Sequence, residues 1–123
     1  MMAKILLIDD EFVVVQTLSA LLKSEGHDVA AVYEGSHALP LLGPLHQYDL
    51  MLVDLRMTPV DGIEVIMKAR KFKPRMPIIV VSAYLDDNMV KRIKALGVGC
   101  FIKKPFTVNE ILDAVHQSLG TAA

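Results

Sequence analysis

Five side chains in this chain have types and positions that could do chemistry together: Asp9, Asp10, Asp54, Ser82 and Lys104. Each follows at or just past the end of a short apolar run, where turn or helix-start residues take over. Carboxylates brought close together repel and raise one another's pKa unless a cation sits among them. Hard oxygen donors with open positions suit Mg²⁺, which keeps several waters and is commonly shared with phosphate oxygens. An ammonium and a hydroxyl are what a transferred phosphoryl group needs around its remaining oxygens. A carboxylate can itself be the nucleophile, giving an aspartyl-phosphate. The set therefore points to phosphoryl chemistry on a carboxylate, assisted by a divalent cation.

For these groups to meet, the elements between them must bring the run ends to one edge. Leu50–Gly62 is the organising stretch: four apolar residues, then Asp54, then the turn material Thr58-Pro59 and Asp61-Gly62. Runs of this length suit a strand buried on both faces. Comparable runs at Ile5–Ile8, Val29–Tyr33, Ile78–Val81 and Cys100–Ile102 predict four more strands. Between them lie helical patterns. Val14, Leu18 and Leu21 share a face that Gly26 ends, and a short second helix at Gly35-Ser36 is compromised by Pro40 and closed by Gly43-Pro44. Gly62–Lys71 carries Ile63, Ile66 and Met67, and Asp86 or Asp87 caps a stripe of Met89, Ile93 and Leu96. Thr107 and Glu110 form a capping box ahead of Val108, Ile111, Leu112, Val115 and Leu119. Five strands alternating with five helices imply a parallel sheet covered on both faces. Ligands of such sheets bind beyond the carboxyl ends of the strands, where all five groups fall.

Bulk properties narrow the class. The 123 residues suit one domain spanning 1–123, and 53% hydrophobic against 22% charged residues excludes a disordered chain. A net charge of −1 gives no electrostatic reason to expect nucleic acid or an anionic membrane as partner. Cys100 alone excludes an internal disulfide or a Cys-rich zinc site. No apolar run approaches the ~20 residues of a membrane span, and no signal peptide opens the chain. A cytoplasmic location is expected, with a frayed end at Gly120–Ala123. His27, His37, His46 and His116 show no ligand spacing and are expected at the surface.

The order and spacing of Asp9-Asp10, Asp54-Leu55-Arg56-Met57, Asp61-Gly62, Ser82-Ala83 and Lys104-Pro105-Phe106 resemble the receiver domains of two-component response regulators. The resemblance covers nearly the whole chain. It implies a flavodoxin-like sheet of order 2-1-3-4-5 and a phosphorylation-controlled switch, not a conventional turnover enzyme. It implies Asp54 as phosphoacceptor. Asp9 and Asp10 would hold Mg²⁺ with Asp54 and the backbone carbonyl of Arg56. Lys104 would pair with the phosphoryl group, Ser82 would move to hydrogen-bond it, and Phe101 would swing into the space vacated. The partners implied are a sensor histidine kinase or phosphotransfer protein and a downstream effector, the latter at the surface around helix four, strand five and helix five.

Two departures from the family pattern stand out. Thr58 takes the place where proline is usual, with Pro59 after it, and the switch aromatic is Phe101, whose ring needs no hydrogen-bond partner when buried. Lys104-Pro105 is expected to be cis, as in many relatives. Arg56 and Tyr84, two residues beyond Asp54 and Ser82, have the reach to cover the site and hinder an attacking water. Two other readings compete: a phosphorylation-independent binding module, and a phosphohydrolase like the haloacid dehalogenases. The latter carry a second acid where Arg56 stands here.

Overall fold

The computed structural model describes residues 2–120, so the expected frayed tail beyond Gly120 lies outside the described residues. Strands β1 (Lys4–Ile8), β2 (Asp28–Val32), β3 (Leu50–Val53), β4 (Ile78–Ser82) and β5 (Cys100–Lys103) form one sheet in the order β2-β1-β3-β4-β5. All four pairings are parallel. Helices α1 (Phe12–Ser24), α2 (Gly35–Ala38), α3 (Gly62–Phe72), α4 (Asp87–Ala95) and α5 (Val108–Ser118) provide the crossovers. This is the parallel sheet that the alternation predicts, in the flavodoxin-like strand order that the family resemblance implies.

Every residue of β3 and β4 is buried, as are the last four of β1, while the outer strands β2 and β5 are largely half-buried. Because successive strand side chains point to opposite faces, these runs feed two separate cores. Leu6, Ile8, Met51, Val53 and Val80 pack with Ile63 and Ile66 of α3 and Ile93 of α4. Ile5, Leu7, Leu52, Ile79 and Val81 pack with Leu18 and Leu22 of α1 and Ile111 of α5. Burying each such aliphatic side chain contributes about 2 kcal/mol relative to leaving it exposed.

The helix faces differ from the predicted stripes. In α1 the fully buried residues are Val15, Leu18 and Leu22, with Val14 and Leu21 at the flank. In α3, Val65 and Ala69 are buried beside Ile63 and Ile66, while Met67 is 56% exposed. In α5, Val108 is exposed in the first turn, beyond the cover of the sheet, and the small Ala114 is buried instead. The second helix is compromised by Pro40 as expected: the α-helix stops at Ala38, the chain goes on as a 3₁₀ turn over Leu39–Leu42 with proline at its start, and Gly43 closes it. Proline suits such a start, where its missing N–H has no intrahelical partner. Asp86 is the N-cap of α4, accepting from the Met89 amide at 2.8 Å, and the Thr107–Glu110 capping box forms.

His27 is not a surface residue. It is buried, and its Nδ1 accepts the Ala3 N–H at 3.1 Å, which joins the turn after α1 to the start of β1. Burial depresses its pKa, chiefly because the charged ring would lose water. Arg70 also has a structural task. Its guanidinium donates to the carbonyls of Leu96 (2.6 Å), Met76 (2.7 Å), Lys73 (3.0 Å) and Gly97 (3.4 Å). One side chain of α3 thereby ties down the segment before β4 and the end of α4.

Candidate functional site

Parallel register brings the predicted groups together. Ile8 lies opposite Val53, so Asp9 and Asp54 emerge side by side from neighbouring strands. The Asp54 amide donates to the Ile8 carbonyl at 3.0 Å and fixes that alignment. On the other side Ser82 lies opposite Lys103, and the Lys104 amide donates to the Ser82 carbonyl at 3.0 Å. The Lys104–Pro105 bond is cis as expected, and Thr58–Pro59 is cis as well.

The Lys104 ammonium stands among carboxylates. It lies 2.8 Å from Asp9 Oδ2, 2.5 Å from Glu11 Oε2 and 3.3 Å from Asp54 Oδ2. Asp9 and Asp54 are 2% and 5% exposed, so two carboxylates here are shielded from bulk water. Burial pushes the Asp9 carboxyl above its usual range, outweighing the hydrogen bonds it accepts from Lys104 and the Glu11 amide; the nearby Asp54 charge pushes the same way. Burial alone would lower the Lys104 pKa. Hydrogen bonds to Asp9 and Glu11, with the charges of Asp54 and Asp9, more than offset it, and the ammonium is held above its ordinary value.

The third carboxylate is Glu11, which the sequence pattern did not single out, and not Asp10. Oxygens of Asp9, Glu11 and Asp54 all lie within 4.8 Å of one another. Past the end of β1 the chain bends at Asp10, and the Glu11 N–H donates to Asp9 Oδ1 at 2.9 Å, which draws Glu11 back toward Asp9 just before α1. A third acid directly after the Asp9-Asp10 pair is the signal that could have found it. Asp10 is exposed and lines an open cavity of about 540 Å³ with Leu55, Arg56, Met57, Thr58, Asp61 and Met89. Asp9 and Asp54, with Asp10 facing the adjacent cleft, are a hard-oxygen donor set that fits Mg²⁺, while Glu11 is taken up by Lys104.

The remaining predicted residues ring this centre. Ser82 is buried, and its Oγ accepts the Tyr84 N–H at 3.2 Å. The Arg56 N–H donates to Asp54 Oδ1 at 3.3 Å. The Arg56 guanidinium lies 3.8 Å from the centre of the half-exposed Tyr84 ring, a cation–π stack joining the two loops. Phe101 is half-buried on β5 and packs against the first core, with the Lys94 ammonium 5.8 Å from its ring centre.

A parallel five-stranded sheet with acids and a lysine at its carboxyl edge defines a class, and family comparison agrees. Residues 5–116 match the response regulator receiver domain, and the chain belongs to that family of two-component signalling domains. It is 30% identical over 116 residues to sporulation initiation phosphotransferase F of Bacillus subtilis, covering 94% of this chain and 93% of that protein. A chemotaxis-regulator-like receiver domain from Methanospirillum hungatei superposes with a TM-score of 0.92 at 23% identity, over 98% of this chain and 95% of that one. The receiver domain of a Pseudomonas aeruginosa sensor histidine kinase superposes at 0.85 with 26% identity, over 98% and 99%; it was solved with a magnesium ion coordinated in its active-site cleft. Among the described residues no helix is long and apolar enough to cross a membrane.

Proposed function

We propose that this domain is a phosphorylation-controlled signalling switch whose acceptor is Asp54. The observation that carries the reading is the Lys104 ammonium held jointly by Asp9, Glu11 and Asp54 at the sheet edge. An Asp54 carboxylate oxygen attacks the phosphorus of a donor, a phosphohistidine of a kinase or phosphotransfer protein. The oxygen–phosphorus bond forms as the bond from phosphorus to the imidazole nitrogen breaks. Asp9, Asp10, Asp54 and the Arg56 carbonyl would hold Mg²⁺, which supplies charge neutralisation for the phosphoryl oxygens. Lys104 pairs with one of those oxygens, and Ser82 leaves the Tyr84 amide to bond another. Phe101 then turns into the space that Ser82 leaves, changing the surface of α4, β5 and α5 that an effector reads. A hydrolase reading finds no support at position 56, because a guanidinium is too weak an acid to protonate a leaving group.

Intact mass after incubation with acetyl phosphate tests this. A gain of one phosphoryl group in Mg²⁺, abolished by chelator, is expected. No gain in either condition would leave a phosphorylation-independent binding module.

The Arg56–Tyr84 stack supports a longer-lived phosphorylated state, because both side chains cover the approach of an in-line water. Tyr84→Ala and Arg56→Ala are each expected to speed hydrolysis about threefold, in keeping with the modest strength of an exposed cation–π contact. Unchanged decay of the phosphorylated mass in both variants would remove the rim from the mechanism.

A further inference from the structure

We propose that Glu11 is a positioning residue that holds Lys104 in the unphosphorylated state and must release it when Asp54 is phosphorylated. The inference rests on the switch reading above and names a competitor within it. An ammonium has three N–H donors, and here three carboxylates surround it, those of Asp9, Glu11 and Asp54. A phosphoryl oxygen can gain a Lys104 donor only by displacing one of them. Asp9 is fixed: it is buried, and its Oδ1 already accepts the Glu11 N–H at 2.9 Å. Asp54 is the acceptor itself. Glu11 makes the shortest of the three contacts, yet its side chain is 58% exposed and free to turn into water. It is the partner able to yield.

A second observation points the same way. Glu11 occupies the N-cap position of α1, where an oxygen side chain ordinarily accepts from the first-turn amides, and no such bond forms. No acidic residue follows in that first turn. The carboxylate is directed across the site to a lysine 93 residues later in the chain.

The consequence is a defined split in the kinetics. The Glu11–Lys104 contact stabilises the state before phosphoryl transfer and is absent afterwards. Removing it lowers the barrier to uptake. Decay is unaffected, because both the phosphorylated protein and the transition state of its hydrolysis have already lost the contact. For Glu11→Gln with acetyl phosphate and saturating Mg²⁺, uptake is expected to rise about threefold, the scale of a partly exposed ion pair. Decay after removal of the donor is expected to keep the wild-type rate. In a Lys104→Met background the same Glu11→Gln change is expected to leave uptake unaltered, because its effect runs through the lysine.

Uptake that is unchanged or slower in Glu11→Gln overturns the proposal. So does decay that changes as much as uptake, or an equal gain in the Lys104→Met background, which would mark a through-space charge effect. If Lys104→Met takes up too little phosphoryl for its rate to be read, the uptake–decay split with Lys104 present decides. A wild-type protein that takes up no phosphoryl group overturns the switch reading as a whole. Normal wild-type uptake without the Glu11→Gln effect overturns only the role of Glu11.

Discussion

Asparagine at position 54 is expected to end phosphoryl uptake altogether and, with metal removed, to leave the protein more stable than wild type. The first half follows from losing the nucleophilic carboxylate. The second follows from the charges around it. Asp54 is buried and has Asp9 and Glu11 oxygens within 4.8 Å, against Lys104 at 3.3 Å and the Arg56 N–H at 3.3 Å. Asparagine relieves both repulsions and the desolvation of a charge, loses the one ion pair, and can still accept the Arg56 N–H. Lys104 keeps Asp9 and Glu11 when Asp54 is made neutral. A gain of about 1 kcal/mol is expected in chelator, since Coulomb terms of several kcal/mol largely cancel at such an edge. Mg²⁺ should narrow or reverse the difference, because the ion binds the native wild-type site more tightly than the variant. Urea midpoints of both proteins in chelator and in Mg²⁺, with intact mass alongside, read all of this. A less stable variant in chelator would mean that Lys104 satisfies all three acids, and a phosphoryl gain in the variant would place the acceptor elsewhere.

Alanine at position 62 is expected to damage the same site from behind. Gly62 opens α3, and its amide donates to the Leu55 carbonyl at 2.9 Å, turning the loop back onto the end of β3. A Cβ there would lie 2.2 Å from the Asp54 carbonyl oxygen, 2.7 Å from the Leu55 Cα and 2.9 Å from the Asp54 carbonyl carbon. These are backbone atoms of the segment that leaves central β3, so no flexible side chain can give way. Either α3 withdraws from its core face or Asp54 is displaced. A loss of about 3 kcal/mol is expected, at the upper end of overpacking costs. Phosphoryl uptake should slow at least tenfold, on the order of what a misplaced reacting group costs. Gly43→Ala is the control: nothing lies within 4 Å of a Cβ there, and its backbone is ordinary extended chain. Equal urea midpoints for the two variants would show that the Gly62 contact is relieved without cost.

The site was legible where strand order determines position. Asp9, Asp54, Ser82 and Lys104 each stand at the exit of an apolar run, and a parallel sheet gives those exits one edge whatever the helices do. Glu11 was less legible because an acid at a helix start reads as a cap, and its actual partner is supplied by tertiary contact alone. The helix faces shifted for a different reason. Val13, Val14 and Val15 are consecutive, so periodicity offers several phases for α1, and only docking on the sheet selects Val15. Met67 and Val65 present the same ambiguity in α3. His27 is buried by a bond to a backbone amide 24 residues away, which leaves no pattern among side chains.

The four carbonyls held by Arg70 have a mechanical consequence. Two of them, Leu96 and Gly97, form the exit of α4, so that helix is moored at the end away from the acids. Its other end starts just past Tyr84, and Met89 in its first turn lines the cleft. A rod fixed at one end does not slide when pushed at the other; it swings. The nine residues of α4 make a lever arm of roughly 13 Å about the Arg70 fulcrum. Any tilt of α4 about that point would be largest beside the cleft that Asp10 and Met89 line and smallest at the Arg70 end.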